Sequence, residues 1–179
     1  MEDSALIIPV VLPDSLERIR QQHDPGGRLL PPHISLVVPF APGGLYHQMS
    51  ERVNRLADQF PQFWMEVETI GWFAAQDLET VYLRIASHPV LDQLMQATHQ
   101  AFAEYPPYAG KHEEIIPHVT LARVRPSHTS AVRERAERAV RRLGHPLRLY
   151  GSSIVWIYLE QTQLKTETYN LAPHFTATS

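Results

Sequence analysis

The stretch Pro32-His33-Ile34-Ser35-Leu36-Val37, "PHISLV", reads as the opening of a buried strand, yet it sets an imidazole two positions before a hydroxyl. Eighty-five residues later, Pro117-His118-Val119-Thr120-Leu121-Ala122, "PHVTLA", repeats the same order of residue types. On a strand, alternate residues share a face. His33, Ser35 and Val37 then look one way while Ile34, Leu36 and Val38 look the other. His118, Thr120 and Ala122 likewise share a face opposite Val119 and Leu121. In each strand the apolar set suits the core, which leaves the histidine and the hydroxyl to line a cleft.

Working outward, the hydrophobic periodicity predicts one pattern twice. Residues 5–12 read as a strand, and Asp14 caps a short helix with Leu16 and Ile19 inward. A Gly/Pro-rich loop leads to a strand over 33–40. An amphipathic helix follows over 45–60, with Leu45, Met49, Val53 and Leu56 on one face, and then a strand over 63–73. The second half runs as a strand over 80–86, a helix over 88–105 and the second histidine strand over 118–124. A helix over 127–143 stops at Gly144, a strand runs over 147–159, and residues 164–171 pair with it. The order β-α-β-α-β occurs twice, with the histidine strand third each time. It predicts a single α+β domain over 1–179, bilobal, made of two pseudo-symmetric antiparallel-sheet lobes with helices outside and a central cleft. The lobes fall roughly at 1–79 and 80–179, with the exchange of strands between them left open.

Composition narrows the chemistry. Of 179 residues 44% are hydrophobic and 20% charged, as in ordinary globular proteins, and there is no cysteine, which removes disulfides, thiolate metal sites and thiol nucleophiles. The apolar run 5–12 is too short to span a bilayer and lacks signal-peptide flanks, so the expectation is a cytoplasmic protein, monomeric, with no membrane partner. A formal net charge of −3 argues against a broad nucleic-acid surface. Between Arg123 and Arg148, however, eight arginines face only two acids, Glu134 and Glu137, enough for a local phosphate-friendly patch or simply a solvated helix face.

Two imidazoles facing one cleft have a direct use. With unperturbed values near 6.5, one ring can be neutral and accept a proton while the other is charged and donates one. The neighbouring hydroxyls can donate to phosphoryl oxygens, and no metal or other cofactor is required. The short pattern His-x-Ser/Thr is weak, since it recurs at His128 and at His174. His128 opens a helix, where Ser and Thr serve as caps, and His174 lies at the chain end. Only His33 and His118 carry the longer form Pro-His-β-branched-Ser/Thr-Leu, and they hold matching places in the repeat.

"HISL" and "HVTL" resemble the paired His-x-Ser/Thr-x motifs of the two-histidine (2H) phosphoesterase superfamily. Within it the chain is most similar to the 2′-5′ RNA ligase / RNA 2′,3′-cyclic phosphodiesterase family, over nearly its whole length. The resemblance implies hydrolysis of a 2′,3′-cyclic phosphate, at an RNA end or on a small nucleotide, to a 2′-phosphate. It makes His33 the proton donor to the leaving oxygen, His118 the base, and Ser35 and Thr120 the holders of the phosphate. An arginine five residues after the second histidine is common in the family, and Arg123 matches it, whereas Val38 stands at that place in the first motif. Strict alternation turns Arg123 away from the cleft, so its use requires a twist or bulge. Reversible 2′-5′ ligation, binding of phosphate ends without turnover, and a non-RNA phosphodiester are the alternatives.

A nucleotide needs a surface to stack on. Trp72 and Phe73 end one strand and Tyr82 lies on the next; Phe73 resembles an aromatic found in this hairpin in the family. Tyr46, Tyr108 and Trp156 are weaker candidates, and core packing competes for all of them. In "HEEIIPH" the two histidines are six apart and Pro117 interrupts a helix, so it is not a zinc motif.

Overall fold

The computed structural model describes residues 4–112, 114–160 and 163–173. Along the chain they form β1 (Ser4–Pro9), α1 (Asp14–His23), β2 (His33–Val37), α2 (Tyr46–Ala57), β3 (Phe63–Phe73) and β4 (Glu79–Ile85). There follow α3 (Pro89–Ala101), β5 (His118–Val124), α4 (Pro126–Arg141), β6 (Arg148–Gly151), β7 (Ser153–Glu160) and β8 (Gln163–Asn170). The strands pair in the order β6-β3-β4-β5-β2-β1-β7-β8, each with an antiparallel neighbour. The fold is α+β and bilobal: α1 and α4 pack on the β6-β3-β4-β5 half, and α2 and α3 on the β2-β1-β7-β8 half.

The two histidine strands meet at the middle of this sheet, where Ile34 lies opposite Val119. Around that pair the halves correspond element by element, β1 to β4, β3 to β7, and β6 to β8. Each half draws on both ends of the sequence. β3 leaves β1 and β2 to pair with β4 and β6, while β7 and β8 return to complete the sheet beside β1.

The expected continuous strand over 147–159 is instead two strands, β6 and β7, in opposite halves. The chain crosses at Gly151, where a Cβ would lie 3.0 Å from Met65 and 3.3 Å from Ile8, side chains of the two halves. A residue without a side chain lets the backbone pass this close to both without displacing either. Asp14 also differs from expectation. It is the first residue of α1, after Pro13, and makes no capping bond through its side chain; its carboxylate still favours the helix start electrostatically. The inward faces are as the periodicity predicts: Leu16 and Ile19 in α1, Met49, Val53 and Leu56 in α2, and Leu91, Leu94 and Met95 in α3 are buried. α4 buries Val132, Ala136 and Ala139, and Gly144 follows its end with φ +71°. Among the described residues no helix is long and apolar enough to cross a membrane.

Alternation breaks once in each histidine strand, at the same place. In β2, Ile7 faces Ser35 but Leu6 faces Val37, so Leu36 is an extra residue. In β5, Tyr82 faces Thr120 but Val81 faces Ala122, so Leu121 is extra. These are β-bulges. Leu36 and Val37 are both buried, as are Leu121 and Ala122. Burying a Val or Leu side chain contributes about 1.5–3 kcal/mol, which disfavours any register that exposes one of them. The expectation that Val37 and Ala122 face the cleft is therefore corrected. The bulge sends them into the core and brings Val38 and Arg123 round to the cleft side.

Candidate active site

The entries to the two histidine strands match. Pro32 and Pro117 have no N–H to place, and their carbonyls accept from Val10, just past the end of β1, and from Ile85 of β4 at 2.9 and 3.0 Å. Each proline ring fixes its own φ, and the carbonyl one residue earlier turns towards the imidazole that follows. His33 Nδ1 donates to Pro31 O at 2.8 Å, and His118 Nδ1 donates to Ile116 O at 2.7 Å. A carbonyl only accepts, so Nδ1 carries the hydrogen in both rings and Nε2 is left for the cleft. Continuing the antiparallel register outward from the Ile34–Val119 pair sets His33 across from Thr120 and Ser35 across from His118. His33, Ser35, His118, Thr120 and Arg123 all line one open cleft of about 1070 Å³ between the lobes.

Burial pushes both imidazoles below the ordinary histidine range. The carbonyl bonds oppose that shift, and the Arg123 guanidinium adds to it in both rings. His33 also feels Arg20 and Asp24 with opposite effects, whereas His118 feels His33. Both rings therefore favour the neutral form at neutral pH, and an anion held between them would draw a proton back onto one.

The aromatic residues divide. Phe73, 37% exposed, lines the cleft and meets the His118 ring edge-on at 5.1 Å between centroids. Tyr82 is only 5% exposed and lies against Phe73, with centroids 4.2 Å apart, and 5.1 Å from His118. Its expected place as a substrate-binding surface is corrected: a base cannot reach it, and it serves to prop Phe73 and His118. Gly71 makes room for this ring, since a Cβ there would come within 2.6 Å of the Tyr82 ring and hydroxyl. Trp72 sits at the cleft rim with the Arg133 guanidinium 3.8 Å above its ring. Tyr108 lines the cleft, Tyr46 is partly buried against the core beside Trp156, and Trp156 is wholly buried.

Several cleft residues had no signal in the motifs. Thr80 and Ile157 reach the cleft only through strand pairing across the sheet, and Asp24 and Leu30 through the loop before β2. Alternation along β7 places Ile157 and Leu159 on one face, which is the one clue available without knowing the partner strands. His112 lines the cleft too, but among the described residues no three His, Asp or Glu gather as a metal site needs. His174 lies outside the described residues, and His128 is in the first turn of α4.

The fold is shared with solved structures of low sequence identity. Kluyveromyces marxianus Usb1 aligns with a TM-score of 0.57 at 12% identity, covering 92% of this chain and 97% of that one. Escherichia coli LigT in complex with 3′-AMP aligns with a TM-score of 0.54 at 14% identity, covering 96% and 99%. In sequence, a Geobacillus thermodenitrificans protein provisionally named a phosphoesterase is 30% identical over 112 residues, 62% of this chain and 61% of its own length. The chain thus spans about three fifths of the curated relatives it matches. The family model of the 2′-5′ RNA ligase superfamily matches residues 8–163, and the chain belongs to that superfamily of two-histidine phosphoesterases.

Proposed function

We propose that the protein hydrolyses 2′,3′-cyclic phosphodiesters, at RNA ends or on small nucleotides, to 2′-phosphates by acid–base catalysis between His33 and His118. The observation that carries the reading is the matched pair of Nδ1–carbonyl bonds, which leave one Nε2 from each lobe for a single cleft. Water attacks phosphorus while His118 Nε2 takes its proton. The P–O3′ bond breaks as His33 Nε2 gives a proton to the departing oxygen. His33 must therefore be charged and His118 neutral when substrate is bound. The phosphate's own negative charge favours that state against the burial that lowers both rings. Ser35 and Thr120 donate to the non-bridging oxygens, and Arg123 balances the charge that grows on them. Phe73 offers its exposed edge to the base. The 3′-AMP held by LigT, a protein of the same fold, supports a nucleotide as the ligand class. Both histidines come from one chain, so a monomer suffices.

The test is a panel of 2′,3′-cyclic nucleotides and cyclic-phosphate-ended oligonucleotides, with the product identified. The reading predicts 2′-phosphates and an undiminished rate in EDTA. A 3′-phosphate product, or no turnover of any member, would overturn it. Net joining of 5′-hydroxyl ends in the same assay would instead favour the ligase direction of the same chemistry.

A further inference from the structure

The near two-fold symmetry of the cleft provides an internal comparison of its two walls. From Thr120 the pairing runs to Tyr82 and then Gly71, and beyond these lie Thr80 and Phe73. From Ser35 it runs to Ile7 and then Val155, and beyond these lie Ala5 and Ile157. Arg123 corresponds to Val38. Beyond the two motifs, Tyr82, Thr80, Phe73 and Arg123 on the His118 side thus correspond to the aliphatic Ile7, Ala5, Ile157 and Val38 on the His33 side, while Trp72 corresponds to the buried Trp156. The lining residues of β1, β7 and β8 are Ser4, Ala5, Ile7, Ile157, Leu159 and Leu164. Ser4 is the one polar member, and its hydroxyl is turned into the core, accepting from Trp156 Nε1 at 2.8 Å. Asp24 lines the cleft from the preceding loop, but its carboxylate is already occupied, accepting from Gly26 N–H at 3.2 Å and lying 4.0 Å from Arg20.

Structural packing accounts for part of this wall and not for the rest. Ile7, Val155 and Ile157 form a small buried cluster beneath Ala5 and Leu30. Leu159 and Leu164, paired across the β7–β8 hairpin, extend it at 36% and 38% exposure. The wall starts one strand from Ser35, so whatever covers it is continuous with the bound phosphate.

We propose that, besides a cyclic phosphate, the cleft takes open-chain nucleoside phosphodiesters with the nucleoside on one wall only, and that their second ester group, lying against Leu159 and Leu164 at the edge of the Ile7–Ile157 cluster, is aliphatic rather than a second nucleoside. A second nucleoside would lay a base with its hydrogen-bonding edge, and a further phosphate, against β1, β7 and β8, whose described lining residues are aliphatic apart from Ser4, itself turned inward. This rests on the phosphate sitting between the two histidines.

The test is calorimetric titration of the full chain with 2′-deoxyadenosine 3′-alkyl phosphodiesters from methyl to butyl, which cannot cyclise, and with the dinucleotide of deoxyadenosine. Affinity is expected to rise about fourfold per methylene, and the dinucleotide to bind no better than the methyl ester. Leu164→Ser, an exposed position whose fold is checked by thermal unfolding, should flatten the series. A flat series in the native chain, an unchanged slope in the variant, or a dinucleotide tighter than the butyl ester would overturn the proposal. Dissociation constants do not depend on turnover, so this result and the hydrolysis of cyclic phosphates succeed or fail separately.

Discussion

Nδ1 of each catalytic candidate is tied to a main-chain carbonyl, so a single atom per ring is available for proton transfer, and burial sets its affinity for the proton. Both rings are lowered in the folded state, so between the folded and unfolded values the unfolded chain binds more protons. Stability is then complete above about pH 6.5 and is lost as the pH falls through the lowered values. Thermal unfolding between pH 7.5 and 5 should show that slope, and replacing both histidines by Asn should reduce it. Arg123 lowers both rings and lines the same cleft, so on the proposed mechanism Arg123→Ala should cut kcat/KM by about 10- to 100-fold. The acidic limb of the pH profile should also move to higher pH. At this scale the sequence was informative where chemistry is local. His33 with Ser35, and His118 with Thr120, share faces because alternation holds over two residues. The carbonyl partners were not legible, since they depend on how the chain turns at Pro32 and Pro117, and Tyr82 was misjudged because its burial is decided by Phe73 and Gly71 on another strand.

The element that matters most is the bulged histidine strand. Without Leu121 as an extra residue, Arg123 would fall on the core face and Ala122 on the cleft face. The bulge was foreseen only as a condition for Arg123 to act, because "HVTLARV" carries no glycine to announce it; its cause is the burial of two consecutive apolar residues. Leu121 is wholly buried, so Leu121→Ala should cost about 2–5 kcal/mol of stability in chemical denaturation. The β3–β4 pair supports the site from the side. Gly71→Ala would drive a methyl into the Tyr82 ring, so it should destabilise by about 1–3 kcal/mol and reduce activity by disturbing the stack behind His118. Helices were read from their 3.6-residue period with ends displaced by a few positions. The strand 63–73 was read correctly to the residue, since Trp72 and Phe73 extend it to the cleft.

For the whole molecule, the repeat of β-α-β-α-β was enough to predict two similar lobes but not which strands build each one. Pairing between β3 and β6, or β1 and β7, joins segments distant in the chain, and a single sequence holds no record of such partners. We propose that 1–179 is one folding unit, because the β2-β1-β7-β8 half needs Trp156, wholly buried, and the other half needs β3. Fragments 1–79 and 80–179 expressed apart should show no cooperative unfolding by circular dichroism, and mixing them should restore it. We propose that this symmetric pair of imidazoles works asymmetrically, His118 as base and His33 as acid. The most direct test measures His33→Ala and His118→Ala on a 2′,3′-cyclic phosphate and on a nitrophenyl phosphodiester, whose leaving group needs no proton. Both variants should lose about 10²- to 10⁴-fold on the cyclic phosphate, and only His33→Ala should recover on the nitrophenyl ester. Full activity of either variant on the cyclic phosphate, or recovery by His118→Ala alone, would contradict it.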